Sequence, residues 1–212
     1  LEGFKTFKVS GLAVSAGDRL ALPAFTIEVG TLTETVVVTG ESPLIQAASG
    51  ERSFTIPTMS VANLPISSRN FRDLALLTPG VIAGQNAGVQ RIGGGGYANI
   101  MMDGISAMDT GNNGQMIAMN TEAVEEVKVL TSSYQAEYGR SSGIQVLSVT
   151  KGGTNQFRGT IYDVERNSSW NKNSWYNEQI GVAKAVSKQR DYGFSLGGPV
   201  GKPGGNNKLF FF

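Results

Sequence analysis

The chain has 212 residues, with 18 basic and 17 acidic side chains and neither histidine nor cysteine. Those two absences remove Ser-His-Asp and Cys-His nucleophiles, zinc fingers, His-ligated haem and any disulfide framework. Glycine supplies 28 residues, nearly twice the usual ~7%, and charged residues only 17%, a β- and turn-rich balance that also contains no apolar run of the ~18 residues a transmembrane helix needs.

The charge is unevenly placed: residues 151–212 carry 9 basic and 4 acidic groups. These cations alternate with Asn, Gly and aromatics in strand-like stretches and form no block, so no nucleic-acid partner is expected. A hydrophobic content of 40% is enough for a core. The chain opens at Leu1 without a leader-like segment and closes on Leu209-Phe210-Phe211-Phe212, which leads us to expect a piece of a longer protein.

In chain order, residues 1–39 hold β-type runs at Phe4 to Val9, Arg19 to Val29 and Thr33 to Thr39, parted by turn signals such as Ser10-Gly11 and Ala16-Gly17-Asp18. They read as the end of a small β-sandwich. Gly40 to Pro43 breaks the pattern and opens a linker over 40–51.

Residues 52–157 mix helical and strand periods. Phe71, Leu74, Ala75 and Leu77 recur at three- and four-residue spacing, which predicts an amphipathic helix capped by Ser67-Ser68 and stopped by Thr78-Pro79-Gly80. Tyr97 to Met102 reads as a strand ending in the hairpin dipeptide Asp103-Gly104. Asn120-Thr121 caps a short helical turn, and Glu126 to Leu130 and Ile144 to Thr150 alternate as strands. The segment is an α+β domain.

From Gly159 the period becomes strictly two. Thr160, Tyr162 and Val164 alternate with Ile161, Asp163 and Glu165, and later Tyr192, Phe194 and Leu196 with Gly193, Ser195 and Gly197. Such strands, apolar outward and polar or small inward, are the pattern of a transmembrane β-barrel; a soluble antiparallel sandwich needs the same alternation. Tyr162, Val164, Tyr192, Phe194, Leu196 and Phe210 to Phe212 are the expected lipid-facing set, and Trp170, Trp175 and Tyr176 an interfacial belt.

Several motifs then follow in order: Leu64-Pro65, Arg69-Asn70-Phe71, Leu74 to Val81 (LALLTPGV), Met102-Asp103-Gly104-Ile105 and Ala123 to Val129 (AVEEVKV). After them come Tyr138 to Gly143 (YGRSSG), Val149 to Asn155 (VTKGGTN) and Gly198-Pro199-Val200. This series resembles TonB-dependent outer-membrane receptors, most of all the Oar-like branch with an N-terminal carboxypeptidase-regulatory-like sandwich. The resemblance implies an α+β plug domain with flanking all-β segments: the end of that sandwich at 1–39, the linker, the plug at 52–157 and the first strands of a transmembrane β-barrel at 158–212. It further implies a periplasmic TonB-type partner, outer-membrane lipid around the barrel, and a scarce ligand of siderophore, carbohydrate or peptide class. The alternatives are a structural or adhesion-type surface protein on the same scaffold and a soluble carbohydrate-binding β protein.

Candidate sites follow from this frame. Glu34, Thr35, Val36, Val37, Val38, Thr39 and Gly40 resemble the energising segment offered to TonB, and a β-branched stretch suits strand addition to a partner's sheet edge; the last strand of the sandwich needs the same residues. Arg69, Arg72 and Arg140, with Glu125 and Glu126, are the expected plug-barrel contacts, with Arg140 foremost; solvated surface charges would look the same. Gln85, Asn86, Arg91, Tyr97, Asn112 and Asn113 are the expected ligand-side plug loops. The Asp103 to Asn113 carboxylates and amides lack calcium-loop spacing and read as turn formers, and Gly93 to Gly96 lacks the ending of a phosphate loop and reads as a flexible or closely packed loop. Met101, Met102, Met108, Met116 and Met119 suit either core packing or an adaptable contact surface. No metal, cofactor or catalytic residue is expected.

Overall fold

The computed structural model describes residues 4–10, 12, 14–15, 24–27, 29–30, 35–39 (backbone alone), 50–64, 66, 68–84, 89–93, 96–139 and 141–212. Two compact units emerge: residues 1–64 with 70–149, and residues 65–69 with 150–212.

In the first unit, β1 (Thr6–Ser10) pairs in parallel with β2 (Thr35–Thr39), Thr6 opposite Thr35 and Ser10 opposite Thr39. Of the run expected over Arg19 to Val29, Ala24 to Ile27 form no strand, Val29 makes an antiparallel bridge with Phe4, and residues 19–23 lie outside the described residues. The Phe7 and Phe25 rings meet with centroids 4.9 Å apart.

The main sheet of this unit has five strands among the described residues, in the order β3-β8-β9-β6-β7. They are β3 (Arg52–Ile56), β6 (Asn99–Met102), β7 (Ile105–Ser106), β8 (Val124–Ser132) and β9 (Gln145–Thr150), while β4 (Val81–Ile82) and β5 (Gln90–Arg91) form a separate short hairpin. On β8, Val127 and Val129 alternate with Lys128 and Leu130, and all four are buried, so both faces of the sheet are covered. Ile56, Val61, Phe71, Leu74, Ile100 and Val146 complete much of the core.

The helix expected over Phe71 to Leu77 forms as a 3₁₀ helix, Phe71–Leu77, and its cap is Asn70, whose Oδ1 accepts from the Arg72 N–H at 3.1 Å. Asn70 Nδ2 also donates to Gln115 Oε1 at 2.9 Å, which fixes the helix start against the 115 loop. Phe71, Leu74 and Ala75 are buried, whereas Leu77 stands nearly half exposed beside the Pro79-Gly80 stop. A six-residue helix, α1 (Thr58–Asn63), follows Pro57 and buries only Val61; no periodicity announces so short an element. The Asp103-Gly104 turn forms as the dipeptide demands, both residues at positive φ (49° and 82°), joining Met102 to Ile105 across the ladder. The Asp109 and Asn112 carboxyl and amide oxygens accept from the Gly111 and Gly114 N–H groups, the turn-forming role their residue types suggest.

The second unit is built on β10 (Arg158–Asn167) and β11 (Lys188–Pro199), antiparallel over ten pairs, with β12 (Phe210–Phe211) beside β11. A 20-residue connection over 168–187 holds a 3₁₀ turn, Ser168–Trp170, and α2 (Trp175–Gln179), with Trp170, Trp175 and Tyr176 exposed. The register corrects one sequence expectation. Ile161 lies opposite Phe194 and Asp163 opposite Tyr192, so these residues and Leu196 share one face, with Ile161 91% and Phe194 80% exposed. Tyr162 lies opposite Gly193 and Val164 opposite Asp191, on the other face with Thr160 and Ser195. Tyr162 and Val164 therefore leave the lipid-facing set and Ile161 joins it: alternation divides a strand's residues into two sets, and only pairing matches the sets across strands.

Candidate plug contacts and ligand-side cavities

On the face of the β10–β11 hairpin that carries Thr160, Tyr162 and Val164, Gly193 has no side chain, and the Tyr162 hydroxyl occupies the space a Cβ there would need. The Tyr162 ring thus lies flat across the partner strand and presents its face to Arg69, whose guanidinium carbon stands 5.0 Å from the ring centroid. Arg69 Nε is also 3.4 Å from Asp191 Oδ2, and Arg69 itself holds the left-handed region at φ 54°. A segment that belongs in sequence between α1 and the 3₁₀ helix is thereby held on the barrel-type hairpin by a stacked, ion-paired arginine.

The other expected contact residues stand elsewhere. Arg72 pairs with the adjacent Asp73 at 3.2 Å, and Glu125 accepts from Thr58 Oγ1 at 3.1 Å. Glu126 is half-buried on β8. Arg140 lies outside the described residues. So do Gln85 and Asn86 of the expected ligand loops, and Glu34 and Gly40 of the energising segment, whose Thr35 to Thr39 form β2.

Tyr97 and Asn113 come together at a cavity of about 360 Å³ that Ala98, Asn99, Met108, Ser141 and Ser142 also line. Gly96, at φ 116°, packs so closely on Ser142 and the Gly143 amide that any Cβ would collide, which holds this wall together. Tyr134 strengthens it, its hydroxyl donating to the Gly143 carbonyl at 2.7 Å. Asn112 is not among the lining residues, and Arg91 lines a different cavity of about 520 Å³ with Arg52, Thr78, Gly80 and Thr131. There the Arg91 Nη1 reaches only the Thr131 carbonyl, at 3.4 Å, and the Arg52 and Arg91 guanidiniums have no carboxylate partner among the described residues. Of the methionines, Met108 is buried and Met116 exposed, so the five form no single surface.

Sequence reasoning missed one charged group altogether. Lys128 is 0% exposed on β8, next to the edge strand β3, with Nζ 2.9 Å from Glu51 Oε1. Its place in an apolar run, between Val127 and Val129, was the available signal. Beside this pair, burial first and then the Glu137 and Glu51 charges push the Tyr138 phenol above its ordinary value.

Compared with known proteins, residues 55–144 match the TonB-dependent Receptor Plug Domain and residues 149–212 an Outer membrane beta barrel domain. The chain carries the plug and the first barrel strands of a TonB-dependent outer-membrane receptor. It is 26% identical over 199 residues to the TonB-dependent transporter Oar of Myxococcus xanthus, an alignment covering 85% of this chain and 18% of that protein. Among solved structures, the chain resembles the outer membrane transporter YddB from Escherichia coli, with TM-score 0.54, 16% identity, and 70% of this chain and 24% of that one covered. It also resembles the alcaligin outer membrane receptor FauA from Bordetella pertussis, with TM-score 0.51, 13% identity, and 77% and 25% covered. Both are likenesses of fold. The receptor chain spans about a fifth of the length of its curated relative, and its barrel segment belongs to the outer membrane, which sets aside the soluble β-protein reading.

Proposed function

We propose that this receptor plug gates energised uptake of a scarce ligand across the outer membrane, with a TonB-type periplasmic protein supplying the pull. The observation that carries the reading is Arg69: a plug-sequence residue stacks on Tyr162 and pairs with Asp191 on the inner face of the first hairpin, as a plug that fills a barrel lumen requires. Arg72, Arg140, Glu125 and Glu126 remain proposed barrel contacts, and Gln85, Asn86, Arg91, Tyr97, Asn112 and Asn113 proposed ligand-side positions. The chain acts by binding and displacement rather than catalysis.

Glu34 to Gly40 is the proposed TonB-contacting segment, since an extended β-branched stretch draws affinity from main-chain hydrogen bonds. A second reading is favoured by the parallel pairing of Thr35–Thr39 with Thr6–Ser10, which makes the stretch a strand of the N-terminal β module. Site-specific photo-crosslinking from Glu34 in the full-length receptor separates the two. Crosslinking to the TonB-type protein is expected to persist in Val37→Ile and vanish in Val37→Pro, which removes a main-chain donor. Equal crosslinking in both variants, with normal barrel assembly, would assign the segment to the N-terminal module.

A further inference from the structure

We infer that residues 153–157 form a fixed anchor that holds the exit of the plug segment on the first barrel strands, with Gly152 just before them as the pivot for the preceding chain. This rests on the gating reading and specifies which part of the connection stays in place.

The anchor is built at three successive points. The first is a close approach: a Cβ on Gly153 would overlap the backbone nitrogen and oxygen of Phe211 and the Gly198 carbonyl, so the chain crosses the β11–β12 pair with no space for a side chain. The second is Asn155, which grips the turn between β11 and β12 through three of its groups. Its Nδ2 donates to the Gly205 carbonyl at 2.7 Å, its Oδ1 accepts from Asn207 Nδ2 at 2.5 Å, and its backbone carbonyl accepts from the Gly204 N–H at 2.7 Å. Asn207 Nδ2 also donates to the Lys202 carbonyl at 2.6 Å, which ties the two sides of the turn together. The third is Phe157, whose ring fills the place a Gly198 side chain would take and lies with its centroid 6.3 Å from that of Phe211.

None of these contacts involves an ionised side chain, so salt does not screen them. Only an amide fits the middle position, because it donates at one end and accepts at the other; a carboxylate at residue 155 would set an oxygen against the Gly205 carbonyl. Gly152 is the contrast to Gly153: nothing lies within 4 Å of its Cβ position. It stands between the end of β9 at Thr150 and the clamped segment, where an unencumbered glycine absorbs a backbone rotation at least cost. The turn that Asn155 grips spans ten residues, 200–209, against the 20 of the 168–187 connection, and outer-membrane barrels carry their short turns on the periplasmic side. The anchor therefore stands on the side from which a periplasmic protein pulls.

The test follows amide exchange of the full-length receptor in lipid bilayers along a urea series, without added ligand. Protection of residues 153–157 and of the Gly204 N–H is expected to persist with that of β10 and β11 after Val127 and Val146 in the plug sheet have lost theirs. Asn155→Asp is expected to speed exchange at Gly204 about tenfold or more, and Gly153→Ala, which forces the crossing apart, to do the same over residues 153–157. Gln156→Ala, at an exposed position in the same segment, should change neither, and protection of β10 and β11 reports barrel assembly in each variant. Loss of protection over 153–157 together with Val127 and Val146, ahead of the barrel, overturns the anchor alone, as does exchange at Gly204 and over 153–157 that is unchanged in both Asn155→Asp and Gly153→Ala. Plug sheet and barrel losing protection in one transition would overturn the displaceable plug on which the anchor rests.

Discussion

A buried lysine is costly unless its charge is met, and Lys128 is met by Glu51 one residue before β3. Glu51→Gln takes a carboxylate away from a buried charge, so it should destabilise the plug by up to about 3–5 kcal/mol. The double variant Glu51→Gln/Lys128→Met should recover most of that, because a hydrophobic replacement carries no desolvation cost. Urea denaturation followed through the plug's amide exchange would read both; equal loss in the single and double variants would show that the pair contributes packing rather than charge. Tyr138 adds a pH dependence. Its folded phenol holds its proton beyond the ordinary value of 10.0, so above that pH the folded chain binds more protons than the unfolded one and stability falls as pH rises. Tyr138→Phe should flatten that alkaline fall, leaving neutral-pH stability changed only by the lost hydroxyl.

At the scale of elements, the barrel hairpin shows how far a pattern reaches. Period two in β10 and β11 was plain in the sequence, as were the Asp103-Gly104 turn and the Asn120 cap, because each rests on residues adjacent in the chain. Which set of β10 residues shares a face with Phe194 depends on a register between segments some thirty residues apart, and there the apolar character of Tyr162 misled. The same distinction applies to the candidate sites. Asn113 was legible as a loop residue, but Tyr97 and Asn99, which line the same cavity, fall in a stretch that reads as strand in the sequence. The register makes a direct prediction: in the assembled receptor, a fluorophore at Ile161 or Phe194 should be quenched by brominated lipid, and one at Tyr162 should not. Quenching at Tyr162 with none at Ile161 would reverse the two faces.

For the whole molecule, the informative feature is that residues 65–69 group with the barrel strands while residues 1–64 and 70–149 form the other unit. A cation–π contact and a partly exposed ion pair are each modest, together about 1–2 kcal/mol, the strength that the proposed displaceable plug contact would need. Arg69→Ala removes both interactions and leaves the Asp191 carboxylate beside Tyr162. Arg69→Lys keeps the charge but loses the planar group that stacks. In the full-length receptor, amide exchange over residues 66–72 should accelerate roughly tenfold in Arg69→Ala and by less in Arg69→Lys, without change at Val127 or Val146 in the sheet. The loosened segment should also raise the sensitivity of cells to large antibiotics that an intact plug excludes. Unchanged exchange over 66–72 would mean that the segment is held by its own backbone, and that Arg69 decorates the contact rather than making it.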